Sequence, residues 1–304
     1  MQGFLCIDKP KGVTSHDVVN KVRWLLKSHG LKGIKVGHAG TLDPMATGVL
    51  VVCVGAASRL SEYVMGHEKT YRAVVQFGVE TDTYDAEGAI LTTTDASHVT
   101  QAMLQAALPP FVGDINQIPP MHSAIKKDGK KLYDLARAGV TIEREPRPVS
   151  IRRIDLDGWD THTPDKPEAG LEITCGAGTY IRSLAHDLGA VLGVGAHLTA
   201  LVRTRSGVFT LSESVTLEQL AGLTDWSGVL VNLRDGIGHH WPVLALEGGV
   251  LEDVLQGRAI DMAESHPDET LGLGVCAPDD TLRAVLRAEG GRWHPKKVFH
   301  GDES

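Results

Sequence analysis

Hydrophobic positions follow two periods along this chain, and their alternation predicts a mixed sheet flanked by short helices. Residues 3–7 (GFLCI) and 49–55 (VLVVCVG) are continuous apolar runs, and the β-branched content of the second fits a strand buried on both faces. Residues 69–78 (KTYRAVVQFG) alternate strictly, which turns Tyr71, Ala73, Val75 and Phe77 to one inward face. Further strands are predicted over 149–156, 171–175 and 196–205, the last with Arg203 and Arg205 on one side. Helical spacing governs Val18, Val19, Val22, Leu25 and Leu26, with Thr14 or Ser15 as cap, Asp17 in the first turn and Gly30 as stop. Shorter helices are expected over 58–65, 95–108 and 216–223, and another after the glycines of GAGTYIRSLAHDLG, capped by Thr179. Leu132, Leu135 and Ala136 suggest one more. Pro10 and Gly12 punctuate a turn, and TDTYDAEG at 81–88 has the composition of a surface loop. From about residue 239 the character changes to many glycines and short strands, a compact β-rich module joined by a linker near Gly236 and Gly238.

The chain has 304 residues, which suits one large domain and a smaller one. It has no apolar run long enough to span a membrane, and its N-terminus lacks the basic flank and apolar stretch of a signal peptide, so a cytoplasmic protein is expected. The 4 cysteines are isolated and the 14 histidines form no metal-binding spacing. Neither a disulfide framework nor a metal site is expected.

Net charge is −8, which argues against simple adhesion to nucleic acid until its placement is considered. Residues 1–60 hold 8 Lys and Arg against 3 Asp and Glu, and residues 121–153 hold 9 against 4, whereas residues 154–304 hold 11 against 23. Two basic segments therefore stand on an acidic body. They read either as solvated faces or as a groove for a polyanion. In the second of them Lys126, Lys127, Lys130 and Lys131 flank Asp128-Gly129 with little apolar content, a surface arm suited to phosphate capture.

The stretch GHAGTLDPMATG, residues 37–48, concentrates unusual backbone freedom around one carboxylate, Asp43. Pro44 fixes its own dihedral and pushes Asp43 from helical geometry, so an acid is held on a rigid loop at the mouth of the 49–55 strand. Taken alone, this is an Asp-Pro turn with a solvated side chain. Tyr71 alone is a core tyrosine whose hydroxyl finds a partner. Arg182 is either a surface cation or the partner of a buried acid, and nothing local decides between them. A phosphate at the helix following Gly176 and Gly178 is weakly signalled, without any Walker-type Gly-Lys-Ser/Thr.

Together these stretches resemble the TruB family of tRNA pseudouridine 55 synthases over nearly the whole chain. GHAGTLDPMATGVLVVCVG is similar to the family's catalytic motif, DKPKG to its N-terminal motif, KTYRA supplies its tyrosine and GTYIRSLAHDLG its arginine, while LTALVRTRSGVF resembles a further segment. The resemblance implies an α+β pseudouridine synthase fold, with a large mixed, mainly antiparallel sheet flanked by helices and loops. It divides the chain into a catalytic domain over 1–237, with a basic RNA-binding insertion at about 121–150, and a PUA-like RNA-binding domain over 238–304. It implies conversion of uridine 55 in the T arm of tRNA to pseudouridine without a cofactor, by base flipping. Asp43 is then the nucleophile, Arg182 its partner, and Tyr71 stacks beneath the base and helps remove a proton. Substrate contacts fall to His38, which fills the stack left by the base, and to Lys9, Lys126, Lys127, Lys130, Lys131, Tyr180 and Leu201. A monomer needing no protein partner is expected. Ala39, Met45 and Ala177 depart from the family pattern, Ala177 at the expense of one RNA contact. A non-catalytic tRNA-binding or folding factor is the alternative, and a relative acting on ribosomal RNA with partner proteins is a third reading.

Overall fold

The computed structural model describes residues 1–123, 125–127, 130–132, 140, 142–238, 240–261 and 263–300, with the backbone alone for Lys126, Lys127, Lys130 and Lys131. Among the described residues the main sheet has 10 strands. Along its path lie Leu230–Val231, Gly3–Lys9, Thr47–Val54, Ala196–Ser206, Lys69–Phe77, Glu168–Cys175, Arg147–Asp160 and Gly113–Gln117. Neighbours run antiparallel except where Ala196–Ser206 meets Thr47–Val54, pairing Val202 with Thr47 and Arg203 with Gly48. The α+β, mainly antiparallel expectation holds. No helix among the described residues is long and apolar enough to cross a membrane.

Thr47–Val54 is central because its side chains feed a core on each face. Leu50, Val52 and Val54 join the core under the N-terminal helix, and Val49, Val51 and Cys53 join a second one. Each such branched side chain contributes about 1.5–3 kcal/mol when fully buried. The helix Ser15–Ser28 covers the first core with Val18, Val19, Val22, Leu25 and Leu26. Its start is fixed by a capping box: Thr14 Oγ1 accepts from Asp17 N at 3.1 Å, and Asp17 Oδ2 accepts from Thr14 N at 2.9 Å. The second core is shared with the C-terminal module, since Leu273, Val275, Val285 and Phe299 pack with Phe4 and Val51. That module is a sheet of 5 strands among the described residues, ordered Val243–Leu246, Leu271–Cys276, Thr281–Glu289, Arg292–Val298 and Ile260–Asp261.

Several elements differ from the sequence expectation, each for a local reason. The helix expected from Asp95 begins only at Gln101, capped by Thr100, because the Asp95 carboxylate binds Ser97 N at 2.9 Å and makes a turn there. Thr179 does not cap the Ile181–Leu192 helix; its hydroxyl donates to Gly176 O at 3.1 Å. Gln117 does that work instead, accepting from Tyr180 N at 2.8 Å and donating to Tyr180 O at 3.0 Å. Arg203 and Arg205 do not share a side. A register shift between them leaves Arg203 buried and Arg205 exposed. In the tail, Gly248–Leu255 is helical where only short strands were expected. The turn at Asp128-Gly129 and the helix expected through Leu135 and Ala136 lie outside the described residues.

The expected linker is not a loose tether. Gly236 belongs to the buried helical turn Leu233–Ile237, and a Cβ there would fall 2.1 Å from Phe4 Cδ2. Gly236→Ala should therefore overpack this contact and destabilise the protein by about 1–3 kcal/mol, read by urea unfolding of the two proteins.

Candidate active site

The loop between Val36–His38 and Thr47–Val54 is pinned from several directions. Ser15 Oγ both donates to Leu42 O at 3.0 Å and accepts from Leu42 N at 2.8 Å, while Gly12 N donates to Pro44 O at 2.8 Å. Ala39, Leu42, Met45 and Ala46 turn into the cores. Two buried cations hold the loop's carbonyls. Lys9 Nζ donates to Pro10 O at 2.9 Å, Val13 O at 2.7 Å and Pro44 O at 3.3 Å. Arg203 donates from Nε to Val49 O at 2.7 Å and from Nη2 to Gly40 O at 3.1 Å. Gly48 is obligatory at this closure: its φ is +93° and a Cβ would lie 2.3 Å from Arg203 O.

With its neighbours turned inward, Asp43 faces out, and 36% of its side chain is exposed. Arg182 Nε lies 3.0 Å from Asp43 Oδ2. Of the two readings of Arg182, the partner of an acid is the one realised, and its side chain is only 5% exposed. The same guanidinium donates to Thr83 O at 3.0 Å and His122 O at 2.7 Å, and its Nη1 lies 3.5 Å from Asp85 Oδ2. Asp85 corrects the reading of 81–88 as a plain surface loop. It is buried, its Oδ1 accepts from Thr83 Oγ1 at 2.6 Å, and its carbonyl accepts from Thr81 Oγ1 at 2.8 Å. Composition hid it, because an acidic, threonine-rich turn looks the same whether its acid points outward or in.

One cation shared by two carboxylates shapes the local electrostatics. Burial pushes the Asp43 carboxyl above the ordinary range, Arg182 pulls it back, and the nearby Asp85 charge adds to the rise. Water at the open side of Asp43 moderates the push. Burial also lowers Lys9 to about 8, against which Asp43 acts. His38 is half-buried, with its imidazole pushed down by burial and by Arg203, which favours the neutral ring.

Tyr71 sits on the adjoining strand, paired in register with Arg203 and Ile173 and 9% exposed. Burial raises its phenol and the Arg203 guanidinium opposes the rise. Leu201 is buried beside Ala73 on the same pair of strands. Tyr180, at the start of the Arg182 helix, is held through its backbone by Gln117. Lys9, expected at the RNA surface, is instead enclosed beneath the loop with 0% exposure. The backbone pairs Lys126 with Lys131 and Lys127 with Lys130 in a small ladder, but the side chains on which their expected role depends lie outside the described residues. Ala177 is exposed. All four cysteines are free and buried, and burial pushes Cys53 up to about 12, far from thiolate chemistry.

A carboxylate paired with arginine, beside a buried tyrosine and on a mixed sheet, defines a class once the fold is compared. A Cbf5 chain in a "Cbf5-Nop10-Gar1 Complex" superposes with TM-score 0.73 at 26% identity, covering 98% of this chain and 85% of that one. An H/ACA RNP chain bound to a substrate RNA gives TM-score 0.71 at 24% identity over 99% of this chain and 86% of that one, a likeness of fold. The family model of the TruB pseudouridylate synthase N-terminal domain matches residues 24–181, and that of the tRNA pseudouridylate synthase B C-terminal domain matches residues 182–229. The chain belongs to the TruB family of pseudouridylate synthases. The tRNA pseudouridine synthase B of Symbiobacterium thermophilum is 53% identical over 73% of this chain and 72% of that protein. The enzyme of the same name from Dehalococcoides mccartyi is 42% identical over 98% of this chain and 97% of its own.

The shared guanidinium makes a pH prediction. If rate requires ionised Asp43, activity falls as pH drops through a carboxyl raised above its ordinary value. Asp85→Asn removes one cause of that rise. The acid limb of kcat/KM should therefore move to lower pH, with a lower plateau from the loosened Arg182, as measured on an unmodified tRNA transcript.

Proposed function

We propose that this protein isomerises uridine 55 in the T arm of tRNA to pseudouridine with Asp43 as nucleophile. The observation that carries the reading is the Arg182 to Asp43 pair of 3.0 Å at the end of a core strand, in a chain of this family. A carboxylate so held is oriented and partly exposed, which suits attack on an electrophilic carbon. It adds to carbon 6 of the base or to carbon 1′ of the sugar. The bond from N1 to carbon 1′ then breaks, the base turns, and carbon 5 bonds to carbon 1′. The carboxylate leaves, carbon 5 gives up its proton and N1 gains one. Atoms balance within the nucleotide, so no oxidant, reductant or cofactor is consumed.

Tyr71, in this reading, lies beneath the base and assists departure of the proton from carbon 5. The target base has to leave its stack, at a cost of a few kcal/mol. The neutral His38 ring is suited to fill the space it leaves. Leu201 and Tyr180 supply apolar and aromatic surface around the base, and Lys126, Lys127, Lys130 and Lys131 take phosphates with Lys21, Arg23 and Lys27, the exposed cations of Ser15–Ser28. In this reading the protein acts in the cytoplasm, as a monomer on the T arm without a protein partner.

Asp43→Asn tests the reading directly. The variant should hold unmodified tRNA with wild-type affinity and yield no pseudouridine; normal turnover would sink the nucleophile assignment, and full biological function without turnover would favour a folding factor. The isolated wild-type chain should modify a T-arm stem-loop. Activity appearing only after partner proteins are added would favour the ribonucleoprotein reading suggested by the solved complexes.

A further inference from the structure

The turn that carries Asp85 reaches Arg182 on both sides of one tyrosine. Thr83 O accepts from Arg182 Nη1 at 3.0 Å, and Asp85 Oδ2 lies 3.5 Å from the same nitrogen. Tyr84 stands between them with φ +63°. Among the described residues the other non-glycine positions with positive φ are Glu269 and Asp280, both in turns of the C-terminal module. A side chain in this left-handed region brings its Cβ against the following carbonyl, and a ring on that Cβ has no short polar group with which to offset the crowding. A tyrosine placed there has to be held there.

Both its backbone and its ring are restrained. Tyr84 N donates to Thr81 O at 3.2 Å, and Leu198 N donates to Tyr84 O at 3.0 Å, which ties the turn to the main sheet. The ring stacks on the imidazole of His186, with centroids 4.0 Å apart and planes 10° from parallel. His186 follows Arg182 by four residues, so both side chains leave the Ile181–Leu192 helix on one face. One helix therefore grips the turn twice, by charge at Thr83 and Asp85 and by stacking at Tyr84. The imidazole is braced in its turn: its Nδ1 stands 3.4 Å from Glu80 Oε1, and Glu80 Oε2 accepts from Thr92 Oγ1 at 2.9 Å. In an extended chain carbonyls point along the ladder while side chains stand perpendicular to it, so Thr83 O and the Asp85 carboxylate would diverge. The reversal at Tyr84 lets both face the same guanidinium.

We infer that Tyr84 and His186 are positioning residues for the reaction: their stack holds the left-handed turn from which Thr83 and Asp85 orient the Arg182 guanidinium, and through it the Asp43 carboxylate. Neither ring has to touch the substrate. The inference rests on the reading of Asp43 as nucleophile. Rings that only cover surface would matter to stability alone, whereas rings that set the guanidinium matter to the chemical step.

Single-turnover conversion of an unmodified tRNA transcript at saturating enzyme, with tRNA affinity and thermal unfolding measured in parallel, tests this. His186→Ala removes the stack at a half-buried site and should slow conversion about tenfold, with tRNA affinity within about twofold of wild type. Tyr84→Phe keeps a ring on the imidazole and should convert within about twofold of the wild-type rate. Tyr84→Ala should lose more than Tyr84→Gly, because glycine takes the left-handed angle freely and alanine does not. If Tyr84→Ala fails to fold, His186→Ala and Tyr84→Gly carry the test. Added to Asp85→Asn, His186→Ala should cost little further, since both act through Arg182. A wild-type rate in His186→Ala, or fully additive losses in the double variant, would overturn the inference. So would weakened tRNA affinity at an unchanged rate, the mark of an RNA contact, or a loss in Tyr84→Phe equal to that in Tyr84→Ala. Normal turnover by Asp43→Asn would instead fail the nucleophile reading whatever the stack does, leaving the two failures distinct.

Discussion

One guanidinium has to satisfy two carboxylates and two carbonyls at once, and the geometry of the candidate site follows from that. Arg182 draws Asp43 from one loop, Thr83 and Asp85 from a second and His122 from a third. A buried cation missing such partners would cost several kcal/mol, so each segment is under pressure to arrive in place. The stabilisation is collective. Its cost falls on Asp43, whose proton affinity is raised first by burial and then further by the Asp85 charge that shares its counter-charge.

Beneath this pair lies a second, buried layer. Ser15, Lys9 and Arg203 bind main-chain groups of the Asp43 loop, and Arg203 also bears on Tyr71, so loop and tyrosine are referred to one rigid cation. Preorganisation of this kind spares the protein from reordering its dipoles during reaction. The loop is irregular in shape yet fixed in place. Its apolar members, including the family departures Ala39 and Met45, are core residues, which explains why substitution there is a matter of packing.

Much of the fold was legible from periodicity, since strands buried on both faces and the first helix are written in local patterns of side chains. Asp43 was conspicuous because glycines and a proline surround it. Tyr71 and Arg182 took their meaning from the family resemblance, for the local sequence left both ambiguous. Asp85 was missed because its direction depends on Arg182, which is 97 residues away. Lys9 was misplaced because its partners are carbonyls, and every residue has one. The cap supplied by Gln117 comes from 63 residues upstream, beyond any local signal. What escaped were polar contacts made at long range, whose donors look like ordinary surface residues until the chain closes around them.

The parallel pairing of Val202 and Arg203 with Thr47 and Gly48 has a consequence for the order of events during synthesis. The loop bearing Asp43 leaves the ribosome early, but its supporting arginines and its parallel neighbour emerge only after most of the main sheet has been made. Contacts of such wide sequence separation close slowly, because a long segment must first be brought to order. A nascent or truncated chain ending before residue 182 would own the acid but neither of its arginine supports. Assembly of the candidate site is thus delayed until the main sheet is nearly whole.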